Sequence, residues 1–338
     1  MTLKDLSRIK KFQQALSDGA YLIEDPIQIY YLTGIKLSLG RLLITKRGYK
    51  LYVDGRYIEE CKKKLPGHVF PRAEKKIAEK LYFDPATTTY AGFLANKKLC
   101  TTLRSKKNPV DQLRWIKDKN EIAAMKKSAA LLWECYRELT KKLKTGVTEI
   151  EIARAFEIIA LQKGAEGLSF EPIVAFGENS SKPHYHPSSV KLKANDTVLL
   201  DLGVMKDSYA SDMTRVHFIG KQSKQMQEIE KVVKESAKAA IALCKPGTPI
   251  GDLDKAARAV MKEAKLEKYF LHTLGHGIGL EVHEGFRIHH KGDDAKILLE
   301  AGMVFTIEPG LYLPNVGGVR HEEMIVVGEK TSENLFFE

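Results

Sequence analysis

The stretch Thr197-Val-Leu-Leu-Asp201-Leu-Gly-Val-Met205-Lys-Asp-Ser-Tyr-Ala-Ser211-Asp212-Met-Thr-Arg215 places two apolar runs on either side of a short polar break. The pattern predicts strands over Thr197–Met205 and Tyr209–Ile219, joined by a hairpin turning at Lys206-Asp207. With Met205 paired to Ser208, Asp201 falls directly opposite Asp212. Side chains so opposed share one face, with Cβ atoms roughly 4.5–5.5 Å apart, and two like charges there repel. The arrangement recurs downstream. Strands over Met303–Ile307 and Val319–Val327, with a turn centred near Asn315, put Glu308 opposite Glu322. Both pairs sit among apolar neighbours and are expected to be partly buried.

Four converging carboxylates need compensation. Arg215 and Arg320 are close enough in sequence to pair with some of them, but two arginines do not neutralise four acids. Two divalent cations would. A nitrogen donor is available in His272-Thr-Leu-Gly-His276-Gly-Ile-Gly-Leu-Glu-Val-His283, where three histidines interleave with Gly275, Gly277 and Gly279. The glycines are expected to let the backbone crowd a bound group. Several oxygens with one imidazole suit Mn²⁺, Fe²⁺, Co²⁺ or Zn²⁺ better than Ca²⁺.

Outward from these segments, composition narrows the class. A chain of 338 residues with 43% hydrophobic content can bury a sizeable core and is expected to form two domains. Cys61, Cys100, Cys135 and Cys244 lie far apart without a CxxC pair, which fits reduced thiols in the cytoplasm. No signal peptide is evident at the N-terminus, and no apolar run approaches the roughly 20 residues that span a bilayer. The net charge of +11 lies wholly in residues 1–112, which hold 22 basic and 11 acidic residues and leave 32 of each to the remainder. The basic runs are short and lack interleaved aromatics, so they read as a solvated surface and not a nucleic-acid site.

Residues 20–54 alternate strand-like runs with turn signals: Tyr21-Leu-Ile, Tyr30-Tyr-Leu-Thr-Gly34, Arg41–Thr45 and Lys50–Asp54. Helical stretches are expected between Asp54 and Tyr82. A small mixed α/β domain, residues 1–110, ends at the linker Lys106-Lys-Asn-Pro109, and residues 111–338 form the second domain. There Trp115, Ile122, Met125, Ala129, Leu132, Tyr136 and Leu139 mark one face of one or two long helices. Thr148-Glu-Ile-Glu151 reads as a capping box opening another helix that stops at Lys163-Gly164. A strand over Pro172–Phe176 precedes the first hairpin, and helices near 224–244 and 251–264 separate the two hairpins. Two helix pairs, each followed by antiparallel strands, point to an internally duplicated α+β domain.

The set Asp201-Leu-Gly, Ser211-Asp212-Met-Thr-Arg215, His272-x-x-x-His276-Gly-Ile-Gly, Glu308-Pro-Gly and Gly318-x-Arg320-x-Glu322 resembles the pita-bread metallopeptidases, within them the Xaa-Pro peptidases, prolidase and aminopeptidase P. Tyr30–Gly34 and Val53-Asp-Gly-Arg-Tyr57 are similar to that branch's creatinase-like N-terminal domain. Val110-Asp-Gln-Leu-Arg-Trp-Ile-Lys117 resembles the start of its catalytic domain. The resemblance implies Asp201, Asp212, His276, Glu308 and Glu322 as ligands of two divalent ions, with Mn²⁺ first and Co²⁺, Fe²⁺ or Zn²⁺ as alternatives. Asp212 and Glu322 would bridge the ions. It also implies His184 and His283 as catalytic and substrate-binding histidines, His272 as a substrate-side histidine, and Arg320 as a buttress. His186 has no assigned role. Glu323, next to Glu322, is the less favoured ligand, because alternation keeps Glu322 on the face of Arg320.

The implied reaction is cleavage of the Xaa–Pro bond in dipeptides or at peptide N-termini, by a hydroxide shared between two metal ions, with Glu308 as proton carrier. Proline-containing peptides are the expected partners and a homodimer the expected assembly, with no nucleic acid and no membrane. The alternatives are a methionine aminopeptidase-like exopeptidase, a creatinase-like hydrolase without metal, and a non-enzymatic pita-bread binding protein.

Overall fold

The computed structural model describes residues 7–71 and 75–336. The first six residues, part of the stretch expected to lack a signal peptide, lie outside them. The chain divides into two compact units, Met1–Leu113 and Arg114–Glu338.

In the first unit, α1 (Ser7–Ala15), β1 (Ala20–Ile23), α2 (Pro26–Thr33), β2 (Arg41–Thr45), β3 (Gly48–Val53), α3 (Ile58–Lys64), β4 (Val69–Pro71), β5 (Ala78–Phe83), α4 (Tyr90–Lys97) and β6 (Cys100–Ser105) follow in order. Their six strands form one mixed sheet, β4-β3-β2-β1-β5-β6. Segment 30–34, expected as a strand, is the end of α2. Asp25 caps that helix through its side chain, Pro26 occupies the first turn, and Gly34 closes it in the left-handed conformation. The Asp-Pro and Gly signals mark the start and the end of a helix, not hairpin turns. Helix α3 lies within the stretch expected to be helical, but the residues just before Tyr82 form β5.

Helix α5 (Pro109–Trp115) precedes the helices of the second unit. These are α6 (Lys119–Thr140) and α7 (Glu149–Gln162), both opened by capping boxes, Asp118 with Glu121 and Thr148 with Glu151. Buried Met125, Ala129, Leu132 and Leu139 on α6, and Ile152, Phe156 and Ile159 on α7, follow the helical period. Next come β7 (Gly167–Leu168), β8 (Ile173–Phe176), β9 (Thr197–Leu202), β10 (Val204–Lys206), β11 (Tyr209–Ala210) and β12 (Met213–Phe218). The second round has α8 (Lys224–Ile241) and α9 (Ile250–Glu263), then β13 (Gly275–His276), β14 (Arg287–Ile288), β15 (Val304–Ile307), β16 (Gly310–Leu313), β17 (Gly317–Arg320), β18 (Glu323–Val327) and β19 (Ser332–Asn334). Val233, Ala240, Leu253 and Met261 from α8 and α9 pack with Phe305, Ile307, Leu311 and Ile325 in one core, which holds the second hairpin against its helices. The order of helix pair then antiparallel strands occurs twice.

The first hairpin corrects the expected register. Thr214, not Asp212, pairs with Asp201, and Lys206 pairs with Tyr209 across a turn at Asp207-Ser208. Both turn residues have positive φ, 50° and 69°, which is the geometry of a two-residue hairpin turn that follows the twist of the strands. The pairing therefore moves by two residues. An even shift keeps every side chain on its face, so Asp212 stays on the face of Asp201 as a diagonal neighbour. In the second hairpin Ile307 pairs with Glu323 and Gly310 with Arg320, one register on both sides of the break at Glu308-Pro309, so Glu308 is opposite Glu322 as expected.

Candidate metal centre and active site

Three of the four acids lie where the hairpins break, while Asp201 stays within β9. Asp212 sits between β11 and β12, Glu308 between β15 and β16, and Glu322 between β17 and β18. Released from the ladder, these residues can aim their side chains at one point. The Glu322 amide donates to the Thr214 carbonyl at 3.2 Å, which stitches one hairpin to the other.

Asp212, His276 and Glu322 are buried and hold ligand atoms within 4.8 Å of one another. His276 Nε2 lies 3.6 Å from Asp212 and 3.5 Å from Glu308. Its Nδ1 faces the Gly277 carbonyl at 3.2 Å. A carbonyl only accepts, so Nδ1 carries the proton and Nε2 turns a lone pair toward the acids. Burial, and then the neighbouring His283, press the His276 pKa down to about 3, which leaves that nitrogen free to coordinate. Asp201 is held by Arg320, whose Nε donates to Thr214 Oγ1 at 2.9 Å and whose Nη1 donates to the Tyr312 hydroxyl at 2.8 Å. Thr214 in turn donates to Glu322 at 2.8 Å.

The two arginines divide. Arg320 enters the cluster. Arg215 faces away, bonded to the Glu322 carbonyl at 2.6 Å and paired with Glu323 at 2.8 Å. Glu323 also meets His321 at 2.9 Å, so it is engaged on the opposite face from Glu322. One arginine thus stands among four acids. Burial, followed by repulsion from Glu322 and Asp201, drives the Asp212 carboxyl far above the ordinary range, and burial with Glu322 does the same to Glu308. Burial and Asp201 push Glu322 up to about 8. Asp201 Oδ1 and Asp212 Oδ1 are buried with no hydrogen-bond partner among the described residues. The orphaned oxygens, the crowded acids and the unprotonated Nε2 fit divalent cations, which would supply what each lacks. A second grouping, Asp254 with His289 and His290, is different. There the carboxylate already accepts from Arg258 and from the His290 amide and ring.

The cluster floors a cleft of about 730 Å³. His184 and His283 line it and are exposed, while His272 is half-buried. The His283 ring sits edge-on to His276 at 4.2 Å between centroids. Partial desolvation where the ring faces the cleft, then the charge of Arg287, lowers its pKa. His272 donates from Nδ1 to the Thr273 carbonyl at 2.7 Å and accepts at Nε2 from Tyr312 at 2.8 Å, so it is neutral and tied to Arg320 through one phenol. Its pKa, lowered to about 4 by burial and Arg320, agrees. His186 is also on the cleft and exposed.

Two of the interleaved glycines have a packing role. A Cβ at Gly275 would overlap the Thr306 carbonyl of β15, and one at Gly277 the Glu284 carbonyl. At these two positions the missing side chains admit the protein's own backbone. Thr214, Tyr312 and Arg287 were missed in the sequence. Thr214 was hidden by the register, while Tyr312 and Arg287 carry no spacing signal. Tyr312 is the alternate-residue neighbour of Gly310 in β16.

These features define a two-unit α+β hydrolase fold with an acid-and-histidine centre. Residues 123–329 match metallopeptidase family M24, and residues 6–153 match the creatinase/prolidase N-terminal domain. The chain belongs to metallopeptidase family M24, and its fold is the pita-bread catalytic domain with a creatinase-like N-terminal domain. An uncharacterized peptidase of Staphylococcus aureus is 36% identical over 348 residues, covering 97% of each chain. Among solved structures, a Xaa-Pro dipeptidase from Bacillus anthracis matches with a TM-score of 0.92 at 29% identity, covering 98% of this chain and 96% of the other. The prolidase from Pyrococcus furiosus matches at 0.90 with 31% identity, covering 97% and 99%. The likeness places this chain with the Xaa-Pro peptidase branch and supports peptidase activity. No helix among the described residues is long and apolar enough to cross a membrane.

Proposed function

We propose that this protein is a metal-dependent Xaa-Pro peptidase that cleaves the bond before proline in dipeptides or at the N-terminus of longer peptides. The observation that carries the reading is the set of four converging carboxylates around His276 Nε2, with one arginine among them, at the floor of an open cleft. Asp201, Asp212, His276, Glu308 and Glu322 would hold two divalent ions, Mn²⁺ being the first choice and Co²⁺, Fe²⁺ or Zn²⁺ the alternatives. Such ions supply an activated water and polarise the scissile carbonyl. The match of residues 6–153 to the creatinase/prolidase N-terminal domain favours this branch over a methionine aminopeptidase-like enzyme.

The chain's own groups do the rest. A tertiary amide before proline offers no N–H and is stiff, and its nitrogen, like that of any amide, leaves only when given a proton. Glu308 would take the proton that the attacking water gives up and hand it to that nitrogen. The lowered pKa of His283 keeps it a neutral N–H donor, placed to steady the developing oxyanion. His184 contacts the proline side, and His272 stays neutral beside Arg320. Arg287 sets a cation on the cleft wall, which suits the free carboxylate of a dipeptide. The decisive experiment is hydrolysis of Xaa-Pro against Xaa-Pro-Yaa peptides with Mn²⁺ added. Both classes cleaved before proline, the dipeptide faster, is expected. Cleavage of peptides without proline at equal rate, or none in either class, would refute the reading. A homodimer is proposed with it, checked by sedimentation.

A further inference from the structure

Glu149 is the first residue of α7 and is fully buried. The capping box of that helix uses Thr148 and Glu151 and leaves the Glu149 side chain without a helix-capping task. Its carboxylate instead accepts five hydrogen bonds. Oε1 takes the Phe176 amide at 2.8 Å and Asn179 Nδ2 at 3.0 Å. Oε2 takes the Tyr185 hydroxyl at 2.9 Å, the Ser188 amide at 3.0 Å and Ser188 Oγ at 2.7 Å. All five partners are neutral dipoles. They lie on both ends of one segment, residues 176–188, which passes along the cleft wall. His184 lies between the anchored residues and has no hydrogen bond of its own among the described residues. Its placement is therefore the placement of the segment.

Burying a carboxylate without a counter-ion is costly unless every lone pair is used. A structural tie between helix and loop needs no charge, since an amide could accept two or three of these bonds. Five donors converging on two oxygens leave no orientation for an NH₂ group, and they fix a segment that beyond the 3-10 helix Gly177–Ser181 has no regular structure.

We propose that Glu149 is the positioning residue of the cleft segment, holding His184 over the metal centre through Tyr185 and Ser188. The inference rests on the role given above to His184. Glu149→Gln sets an amide N–H₂ against inward-pointing donors, which frees the segment while keeping side-chain volume. Metal content should stay at the wild-type level. The ratio kcat/KM on a Xaa-Pro dipeptide should fall by about tenfold to 10²-fold, the scale of a misplaced contact, with KM raised as well as kcat lowered. In a His184→Ala background the same substitution should cost less than about a third of that factor, because the group it positions is gone. Amide hydrogen exchange across 177–188 should quicken, with α6 and β15 unchanged.

An equal loss in both backgrounds, or unaltered exchange across 177–188, would overturn the proposal. Should Glu149→Gln fail to fold, Ser188→Ala removes one donor outside the cleft lining, and the same two comparisons decide, with a smaller drop. Absence of Xaa-Pro hydrolysis in the wild-type protein would refute the proposed function separately, and the exchange experiment would still decide whether Glu149 holds the segment.

Discussion

The two hairpins bring the same cargo, a pair of carboxylates each, by different turns. In the first, Asp207 and Ser208 both adopt positive φ and close a two-residue turn between Lys206 and Tyr209. In the second, three residues separate Leu313 from Gly317, with Asn315 alone of the non-glycines at positive φ, 62°. In the first turn Asp207 tolerates that conformation much as asparagine does, while Ser208 is strained by it. The second uses asparagine and glycine, which adopt it readily. The acids are indifferent to this. Strand alternation puts them on one face in both cases, and the face survives any even slip in pairing. What the slip changes is the neighbour across the strand: Asp201 meets Thr214, and that hydroxyl bridges Arg320 and Glu322.

The largest effect expected from breaking this arrangement is at Asp212. Asp212→Ala removes an acid from the grouping with His276 and Glu322, and bound metal should fall to a trace, with turnover lost to the same extent. Glu323→Gln, one residue along the second hairpin but on the other face, should leave metal near the wild-type level. Elemental analysis of metal-loaded proteins compares the two. Full metal in Asp212→Ala, or a trace in Glu323→Gln, would mean that the face was misassigned.

Next in size is Tyr312→Phe. The phenol touches no acid of the cluster, yet it joins Arg320 to His272 at 2.8 Å on each side. Outer partners of this kind typically contribute about 10–100-fold to metal affinity or activity. The same loss should appear on titrating metal into the variant. A change under twofold would show that the second hairpin holds Arg320 without help.

A third measurement uses pH. Glu322 has its folded pKa raised to about 8, and Asp212 and Glu308 are raised with it. In metal-free protein these groups retain protons that the unfolded chain, with carboxylates near 4, has already lost. Their contribution is present at low pH and disappears as pH climbs through the folded values. His272 and His276, lowered to about 4 and about 3, act in the opposite sense, gaining stability as pH rises toward the free imidazole value of about 6.5. Between about pH 7 and 8 the histidines of the unfolded chain are mostly neutral and its thiols, at about 8.5, mostly still protonated, so the acids dominate that window over the four cysteines, whose pKa values burial raises. The melting temperature of metal-free protein should fall across it, and added Mn²⁺ should abolish the slope by taking the place of the protons. A flat profile without metal would show that the acids do not repel one another as their placement requires.

How much of this was legible beforehand follows the same division. Alternation is read residue by residue, and it kept Asp201 and Asp212 on one face, while the turn centred near Asn315 set Glu308 opposite Glu322. Register depends on two dihedral angles in a turn, and Lys206-Asp-Ser208 offers two adjacent positions for it with little to separate them in composition. Asp25-Pro26 and Gly34 were ambiguous in the same way, since the signals that stop a strand also cap a helix. Thr214 and Tyr312 could not be picked out because a single hydroxyl has meaning only once its neighbours across the sheet are known. The five hydrogen bonds of Glu149 join segments up to 39 residues apart, beyond any local pattern.

The smallest expected effect tests the turn itself. Ser208 stands at φ 69°, a conformation that costs an ordinary L-residue roughly 1–2 kcal/mol and glycine almost nothing. Ser208→Gly should therefore relieve strain in the first hairpin. It also gives the unfolded chain more freedom, which offsets part of the gain, and it removes the serine hydroxyl. The backbone bond from the Ser208 amide to Glu166 at 3.3 Å is unaffected. The net change should lie between zero and about 1 kcal/mol of added stability, with metal content and kcat/KM unaltered. Denaturant unfolding of the metal-loaded protein measures the first, and steady-state kinetics the second. A clear loss of stability would mean that the serine side chain, and not the backbone, sets the turn. A change in kcat/KM would mean that the register at Lys206–Tyr209 is transmitted to Asp201 and Asp212, which the preserved face is expected to prevent.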